Sequence, residues 1–192
     1  ISLESQGGLD FATSDFTISA WIKNAGGTQE DILSRRAGIN PADNGYIFSI
    51  SSSGFLVLEV ADGSSDVNVV GTTQINDGSW HHVVAQRNAD TISIYTDNAD
   101  EQSNDISSLS SLTTADDFII GSNAGNSRHF NGSIDEVMVF NRSLSSAQIQ
   151  EIYQAGLDNK SFETLKSDET QYNDAWTAKV TPIDSLDPGS SS

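Results

Sequence analysis

The chain has 192 residues, enough for one sizeable hydrophobic core or for one domain and a fragment of another. Nine Lys and Arg residues against 27 Asp and Glu residues give a formal net charge of −18, and so acidic a surface repels nucleic-acid phosphates and anionic lipids. The absence of cysteine excludes disulfides and cysteine-ligated zinc. No apolar run approaches the roughly 20 residues of a membrane span, so we expect no direct membrane insertion and no nucleic-acid partner.

Short apolar runs separated by turns rich in Ser, Asn, Asp and Gly are typical of an all-β sandwich. The best alternation lies in residues 16–23, where every second residue is apolar. Residues 36–45 and 122–129 are predicted loops, and residues 97–116 are predicted to be a loop with one short strand. The predicted strands in chain order are 1–3, 16–23, 32–35, 46–51, 55–60, 67–73, 80–87, 91–96, 118–121 and 134–140.

Residues 130–157 carry the densest pattern in the chain. The alternation places Ile134, Glu136, Met138 and Phe140 on one face of a strand, and Asp135, Val137 and Val139 on the other. An ionised carboxylate on a face with two valines costs several kcal/mol unless something neutralises it. Asp135 is therefore predicted to be a buried acid with a specific partner.

A short helix follows that strand. Ser145 is the predicted N-cap and Gln148 completes a capping box, while Leu144 can pack against Ile149. Gly156 suits the C-terminal cap. About ten strands and one short C-terminal helix predict a jelly-roll sandwich of two antiparallel sheets over residues 1–157. Residues 158–192 are predicted to be a linker plus one orphan strand at 174–183, which docks on the sandwich or begins a second β-sandwich domain.

The segments FTISAWIK (16–23), DGSWHHV (77–83) and residues 130–157 together resemble the laminin-G-like branch of the concanavalin A-like lectin/glucanase superfamily. The resemblance implies an extracellular binding or adhesion module, secreted or at the cell surface, without catalysis. The family usually opens with one more strand before the position of Ile1, so the first strand is expected to be truncated. The tail at 174–189 is similar to a strand and turn of immunoglobulin-like repeats in microbial surface proteins.

The resemblance also implies a structural Ca²⁺ at Asp135, because family members often hold calcium at the matching aspartate. Calcium takes six to eight oxygen ligands, and backbone carbonyls could complete its shell. The alternative is a carboxylate that accepts hydrogen bonds from backbone amides or pairs with an arginine.

Aromatic and loop residues suggest a glycan site. Trp21 lies opposite the apolar face of its strand and could stack on a sugar, or it could be a second-layer residue covered by a loop. Trp80 is predicted to lie in the core, with His81 and His82 as structural or rim groups. The loop residues suited to binding hydroxyl groups are Arg36, Asp43, Asn44, Asn123, Asn126 and Arg128.

No catalytic motif emerges, because Glu59 is isolated and Asp135 and Glu136 are neighbours that face opposite ways. Three sequons mark possible glycosylation at Asn131, Asn141 and Asn159. We therefore predict a non-catalytic module for a glycan or a surface protein. The alternatives are a structural subunit that pairs strands with neighbouring domains or with copies of itself, and a polysaccharide-degrading enzyme.

Overall fold

The computed structural model describes residues 2–3, 9–36, 38, 40, 42–123 and 127–157. Within them lie eleven strands and one helix. The strands are β1 (Ser2–Leu3), β2 (Phe16–Asn24), β3 (Glu30–Arg35), β4 (Gly45–Ile50), β5 (Phe55–Ala61), β6 (Asp66–Gln74), β7 (Trp80–Asn88), β8 (Thr91–Thr96), β9 (Ala99–Asp105), β10 (Phe118–Ile120) and β11 (Gly132–Phe140), and the helix is α1 (Ser146–Leu157). The predicted strand at 174–183 lies outside the described residues.

The strands form two antiparallel sheets. One has six strands in the order β1-β10-β3-β4-β5-β6, and the other has five in the order β11-β2-β7-β8-β9. This arrangement confirms the predicted jelly-roll sandwich with one short helix. The short strand predicted within residues 97–116 is β9, a polar strand of seven residues. It forms because Asp97 and Asn98 both adopt positive φ, which makes a tight two-residue turn between β8 and β9.

The inward faces of the two sheets form one hydrophobic core. β2 contributes Phe16, Ile18, Ala20 and Ile22, all at most 1% exposed, as the alternation predicted. At one end of the core the ring of Phe16 stacks on Phe11 at 4.6 Å and on Tyr46 at 5.4 Å between ring centroids. Burying one such side chain contributes about 1.5–3 kcal/mol to the free energy of folding, so the many buried side chains of this core are the main source of the sandwich's stability.

A β-bulge interrupts strand β11. Its register with β2 shifts between Asp135 and Met138, Glu136 has φ 49°, and the Asp135 side chain accepts a hydrogen bond from the Glu136 amide. The extra residue reverses the alternation that follows it. Val137 and Val139 therefore pack on the core while Asp135 is exposed. The prediction that Asp135 shares a buried face with these valines is wrong for this reason.

Helix α1 begins with the predicted capping box. The Gln148 amide donates to the Ser145 hydroxyl at 3.3 Å, and the Ser145 amide donates to the Gln148 side chain at 3.0 Å. Ile149 and Ile152 are buried against the outward face of the five-stranded sheet. Gly156 lies inside the helix and is not a cap after it, which corrects the prediction. A Cβ at Gly156 would overlap the indole nitrogen of Trp21, so glycine lets the last turn lie against that ring.

Candidate functional site: the outward face of the six-stranded sheet

The two sheets differ in what lies on their outward faces. Helix α1 packs on the five-stranded sheet, where Trp21 stacks on Tyr153 with 5.8 Å between ring centroids and 11° between the planes. His82 lies 5.5 Å from Trp21 in the same cluster. Of the two interpretations of Trp21, the structure shows the covered second-layer residue, although a helix covers it and not a loop. The outward face of the six-stranded sheet carries charged and polar side chains instead.

One ion pair on this face joins Arg36 to Glu59. The two atoms, Arg36 Nη1 and Glu59 Oε1, are 2.5 Å apart, and Arg36 Nη2 also donates to the carbonyl of Asn40. The Arg36 side chain is 0% exposed and that of Glu59 is 20% exposed. Arg36, predicted to be a rim residue, is thus the buried anchor of the pair. The carboxylate of Glu59 is the member that a ligand can reach.

A second pair joins Asp31 to Arg128. Asp31 lies opposite Ser49, which alternates with inward Phe48 and Ile50, so the Asp31 side chain points outward. It is 0% exposed, and among the described residues neither carboxylate oxygen accepts a hydrogen bond of ordinary length. Arg128 Nη1 lies 3.7 Å from Asp31 Oδ1, and the Asp31 amide donates to the Arg128 carbonyl at 2.9 Å. The Arg128 side chain is 19% exposed and remains reachable.

Burial governs the electrostatics of Asp31. Desolvation raises the pKa of this carboxyl from 3.8 to about 6, although the Arg128 guanidinium and nearby Asn123 pull it down and Glu59 pushes it further up. The two pairs lie on β3 and β5, with β4 between them. Across the sheet, the two pairs are therefore separated by two strand spacings, or roughly 10 Å. The β4 residues opposite the two pairs, Ser49 and Ile47, are each 1% exposed.

The remaining predicted rim residues have different environments. Asn123 is buried, and its side-chain oxygen accepts bonds from the Ser127 amide and hydroxyl. Asn44 is half-buried and donates to the carbonyl of Thr113, and Asp43 is half-buried in the same loop. Asn126 lies outside the described residues. Among the described members of this group, Arg128 is the one that joins the charged face as a reachable side chain held by a partner.

Calcium at Asp135 stays a prediction. The expected burial of Asp135, one of the reasons for it, is not observed, because the bulge in β11 turns this side chain to solvent. Among the described residues, no group of three or more His, Asp or Glu side chains is arranged to hold a metal. Of the sequon residues, Asn131 and Asn141 are exposed, and Asn159 lies outside the described residues.

Trp80 departs from its prediction as a core residue. It is 44% exposed, since it begins β7 on the outward face beyond the end of α1. The neighbouring His81 bonds to Asp97 at 2.7 Å and to Asp77 at 3.2 Å. Burial lowers the pKa of His81, but these two carboxylates outweigh it and leave that pKa raised. His82 is buried and bonds to the Ser19 hydroxyl at 2.8 Å, so both histidines have the structural roles that were predicted.

Sequence reasoning missed Asp31 and Glu59 as site residues. A signal was present at Asp31, where two acids, Glu30 and Asp31, directly precede the apolar residues of β3. Acidic side chains in a strand that is buried along its whole length need hydrogen-bond or ion-pair partners. Glu30 has three: it accepts from the Asn24 side chain, the Thr28 hydroxyl and the Asn131 amide.

Residues 2–150 match the laminin-G family model of the concanavalin A-like lectin/glucanases superfamily. The chain belongs to this superfamily. It is 26% identical over 163 residues to the non-toxic nonhemagglutinin type E of Clostridium botulinum, and the match covers 84% of this chain and 13% of that protein. The immunoglobulin-like resemblance of the tail finds no support in these comparisons.

Solved structures share the fold. The binding domain of paraclostridial mosquitocidal protein 1 superposes with a TM-score of 0.68 at 16% identity, covering 82% of this chain and 41% of that one. A CBM40 of a Ruminococcus gnavus IT-sialidase, bound to α2,6-sialyllactose, superposes with a TM-score of 0.62 at 14% identity, covering 80% and 95%. At these identities the two superpositions show a shared fold. Among the described residues, no helix is long and apolar enough to cross a membrane.

Proposed function

We propose that this chain is a non-catalytic, extracellular glycan-binding module, whose contact residues are Glu59 and Arg128. The observation that carries the proposal is the construction of the two charged pairs on the outward face of the six-stranded sheet. In each pair the reachable member is held by an oppositely charged partner that is 0% exposed. A carboxylate and a guanidinium fixed in this way supply an acceptor and a donor for sugar hydroxyl groups.

Two further features support a small polar ligand at this face. Asn68 is the cross-strand neighbour of Glu59 on β6 and is exposed, so it adds amide donors and an acceptor beside that carboxylate. The next row holds Val57 and Val70, and Val70 is 44% exposed. A polar row beside an exposed apolar side chain suits a sugar, which has hydroxyl groups at its rim and C–H groups on its ring faces.

The family and its solved relatives support this class of function. The R. gnavus CBM40 is a carbohydrate-binding relative by fold, and the mosquitocidal structure is a binding domain. The proposal includes a secreted or cell-surface location and a structural calcium, which the relatives' names do not address. A surface protein that carries the glycan is the natural partner.

A glycan array with a matched set of variants tests the proposal. The wild-type chain is expected to bind selected glycans saturably, whereas Glu59→Gln and Arg128→Gln reduce affinity about tenfold or more. Asp66→Asn serves as the control, because Asp66 is an exposed acid on β6 of the same sheet. Absence of saturable binding, or equal binding by all four proteins, would contradict the assignment. Release of reducing ends from a bound polysaccharide would contradict the non-catalytic part.

A further inference from the structure

The outward face of the five-stranded sheet carries an exposed tryptophan that the function above does not use. Trp80 pairs across the sheet with Lys23, one pair beyond Trp21 and His82. Residues alternate in direction along a strand, so Trp80, Lys23 and Trp21 point out of the same face. Trp21 is covered by Tyr153 and Gly156 of α1, whereas Trp80 is 44% exposed. The two tryptophans therefore differ in environment, since α1 packs on Trp21 and leaves the ring of Trp80 accessible.

The surroundings of Trp80 are polar. Its cross-strand neighbour Lys23 is exposed, and Lys23 is paired on its other side with exposed Ser133 of β11. The turn that leads into Trp80 carries Asp77, whose carboxylate accepts hydrogen bonds from the Ser79 amide at 2.7 Å and from His81 at 3.2 Å. The ammonium group of Lys23 and the hydroxyl group of Ser133 thus lie on the same face as the exposed ring, whereas Asp77 is bound to His81.

An exposed tryptophan with polar neighbours favours a sugar over a protein or a membrane as the ligand of this face. A protein interface or a membrane contact requires a contiguous apolar patch of several hundred Å², and the neighbours of Trp80 on β2 and β11 are a lysine and a serine. A net charge of −18 also opposes an anionic membrane. A pyranose ring needs one flat aromatic surface and a few hydrogen-bonding groups at its edge.

We propose that Trp80 is a stacking platform for a neutral saccharide ring, with Lys23 donating hydrogen bonds to its hydroxyl groups. This second site lies on the opposite sheet from Glu59 and Arg128 and does not depend on them. A chain with sites on both faces could hold two glycan branches at once. Its binding to a multivalent surface would then exceed the affinity of either site.

Fluorine NMR tests the proposal at the residue itself. Incorporation of 5-fluorotryptophan labels all three tryptophans, and the resonance lost in Trp80→Phe belongs to Trp80. The soluble probes are cellohexaose, maltohexaose, chitohexaose and, as an acidic glycan, α2,3-sialyllactose. We expect at least one neutral hexaose to shift the Trp80 resonance with a Kd of about 0.1–10 mM. Trp80→Ala should weaken that binding about tenfold or more, and Trp80→Phe should weaken it less because it keeps a flat ring.

Glu59→Gln separates the two sites, since it should leave the Trp80 response unchanged even if it abolishes binding at the other face. Thermal melting of each variant confirms that it is folded, and the wild-type titration needs only the assignment from Trp80→Phe. No shift of the Trp80 resonance by any hexaose at about 10 mM would overturn the proposal. So would wild-type affinity in Trp80→Ala. Trp80-dependent binding to phosphatidylcholine vesicles, or Trp80-dependent dimerisation on sedimentation, would replace the saccharide with a membrane or a second copy.

Discussion

Replacing Asp31 with asparagine should stabilise the protein at neutral pH. An asparagine side chain has nearly the shape of a protonated aspartate and would carry no charge into the buried site. The pKa of Asp31 is raised from 3.8 to about 6, mainly by burial, so ionising it costs the folded state. At 1.36 kcal/mol per pK unit, that difference corresponds to about 3 kcal/mol. Because the folded-state pKa of an acid is raised, this cost is absent below pH 3.8 and complete above about pH 6.

The assay is urea unfolding of wild type and Asp31→Asn at pH 4, 5, 6 and 8. We expect the variant to be more stable by up to about 3 kcal/mol at pH 8, with a difference that shrinks toward zero at pH 4. Asp66→Asn, which changes an exposed acid, should differ from wild type by no more than about 0.5 kcal/mol at every pH. If Asp31→Asn is less stable than wild type at pH 8, the ion pair with Arg128 outweighs desolvation and the reasoning fails.

Three other predictions concern the loss of stability at low pH, the exposed edge of strand β6 and calcium binding at Asp135. Burial lowers the pKa of His82 from 6.5 to about 4. The free energy of unfolding should therefore fall by about 3 kcal/mol as the pH drops from 7 to 4, measured in Asp31→Asn so that Asp31 does not contribute. A flat urea-unfolding profile would contradict this. Glu101 accepts hydrogen bonds from the Thr72 and Thr73 amides on β6. Glu101→Ala should therefore lower the free energy of unfolding by about 1 kcal/mol and increase self-association on sedimentation. Glu101→Gln keeps the acceptor and should do neither. If calcium binds at Asp135, chelation should lower the Tm of wild type but not of Asp135→Asn; an equal response of the two proteins would remove Asp135 as a ligand.

The edge contacts also bear on the structural alternative, in which strands pair between chains. Strand β6 lies at one edge of its sheet, and Glu101 of β9 occupies two of its outward amides. Strand β11 lies at an edge of the other sheet and carries the bulge at Asp135 and Glu136. Occupied amides and bulges both hinder the addition of a further strand. These edges favour a module that binds through its faces.

Local sequence patterns determined most of the architecture. The alternation from Phe16 to Lys23 placed four apolar side chains in the core, and each of them is at most 1% exposed. The capping box at Ser145 and Gln148 involves residues only three apart, so the sequence predicts it directly. Gly54, which adopts positive φ, lies in the turn between the predicted strands 46–51 and 55–60 for the same reason. These features depend on near neighbours, whose identity is visible in the chain.

Only the tertiary structure decided where the charged and aromatic side chains lie. A single extra residue at Glu136 reversed the alternation of β11 and turned Asp135 to solvent, and nothing in the local pattern announces such a bulge. The burial of Asp31 depends on sheet neighbours and on Arg128, which lies 97 positions later in the chain. Trp80 is exposed, whereas Trp21 on the same face of the sheet is covered by Tyr153 and Gly156 of α1, which lie more than 130 positions later in the chain. Burial and charge pairing depend on contacts between distant segments. The sequence alone therefore determined the strands, the helix and the core, whereas the tertiary structure determined the candidate sites.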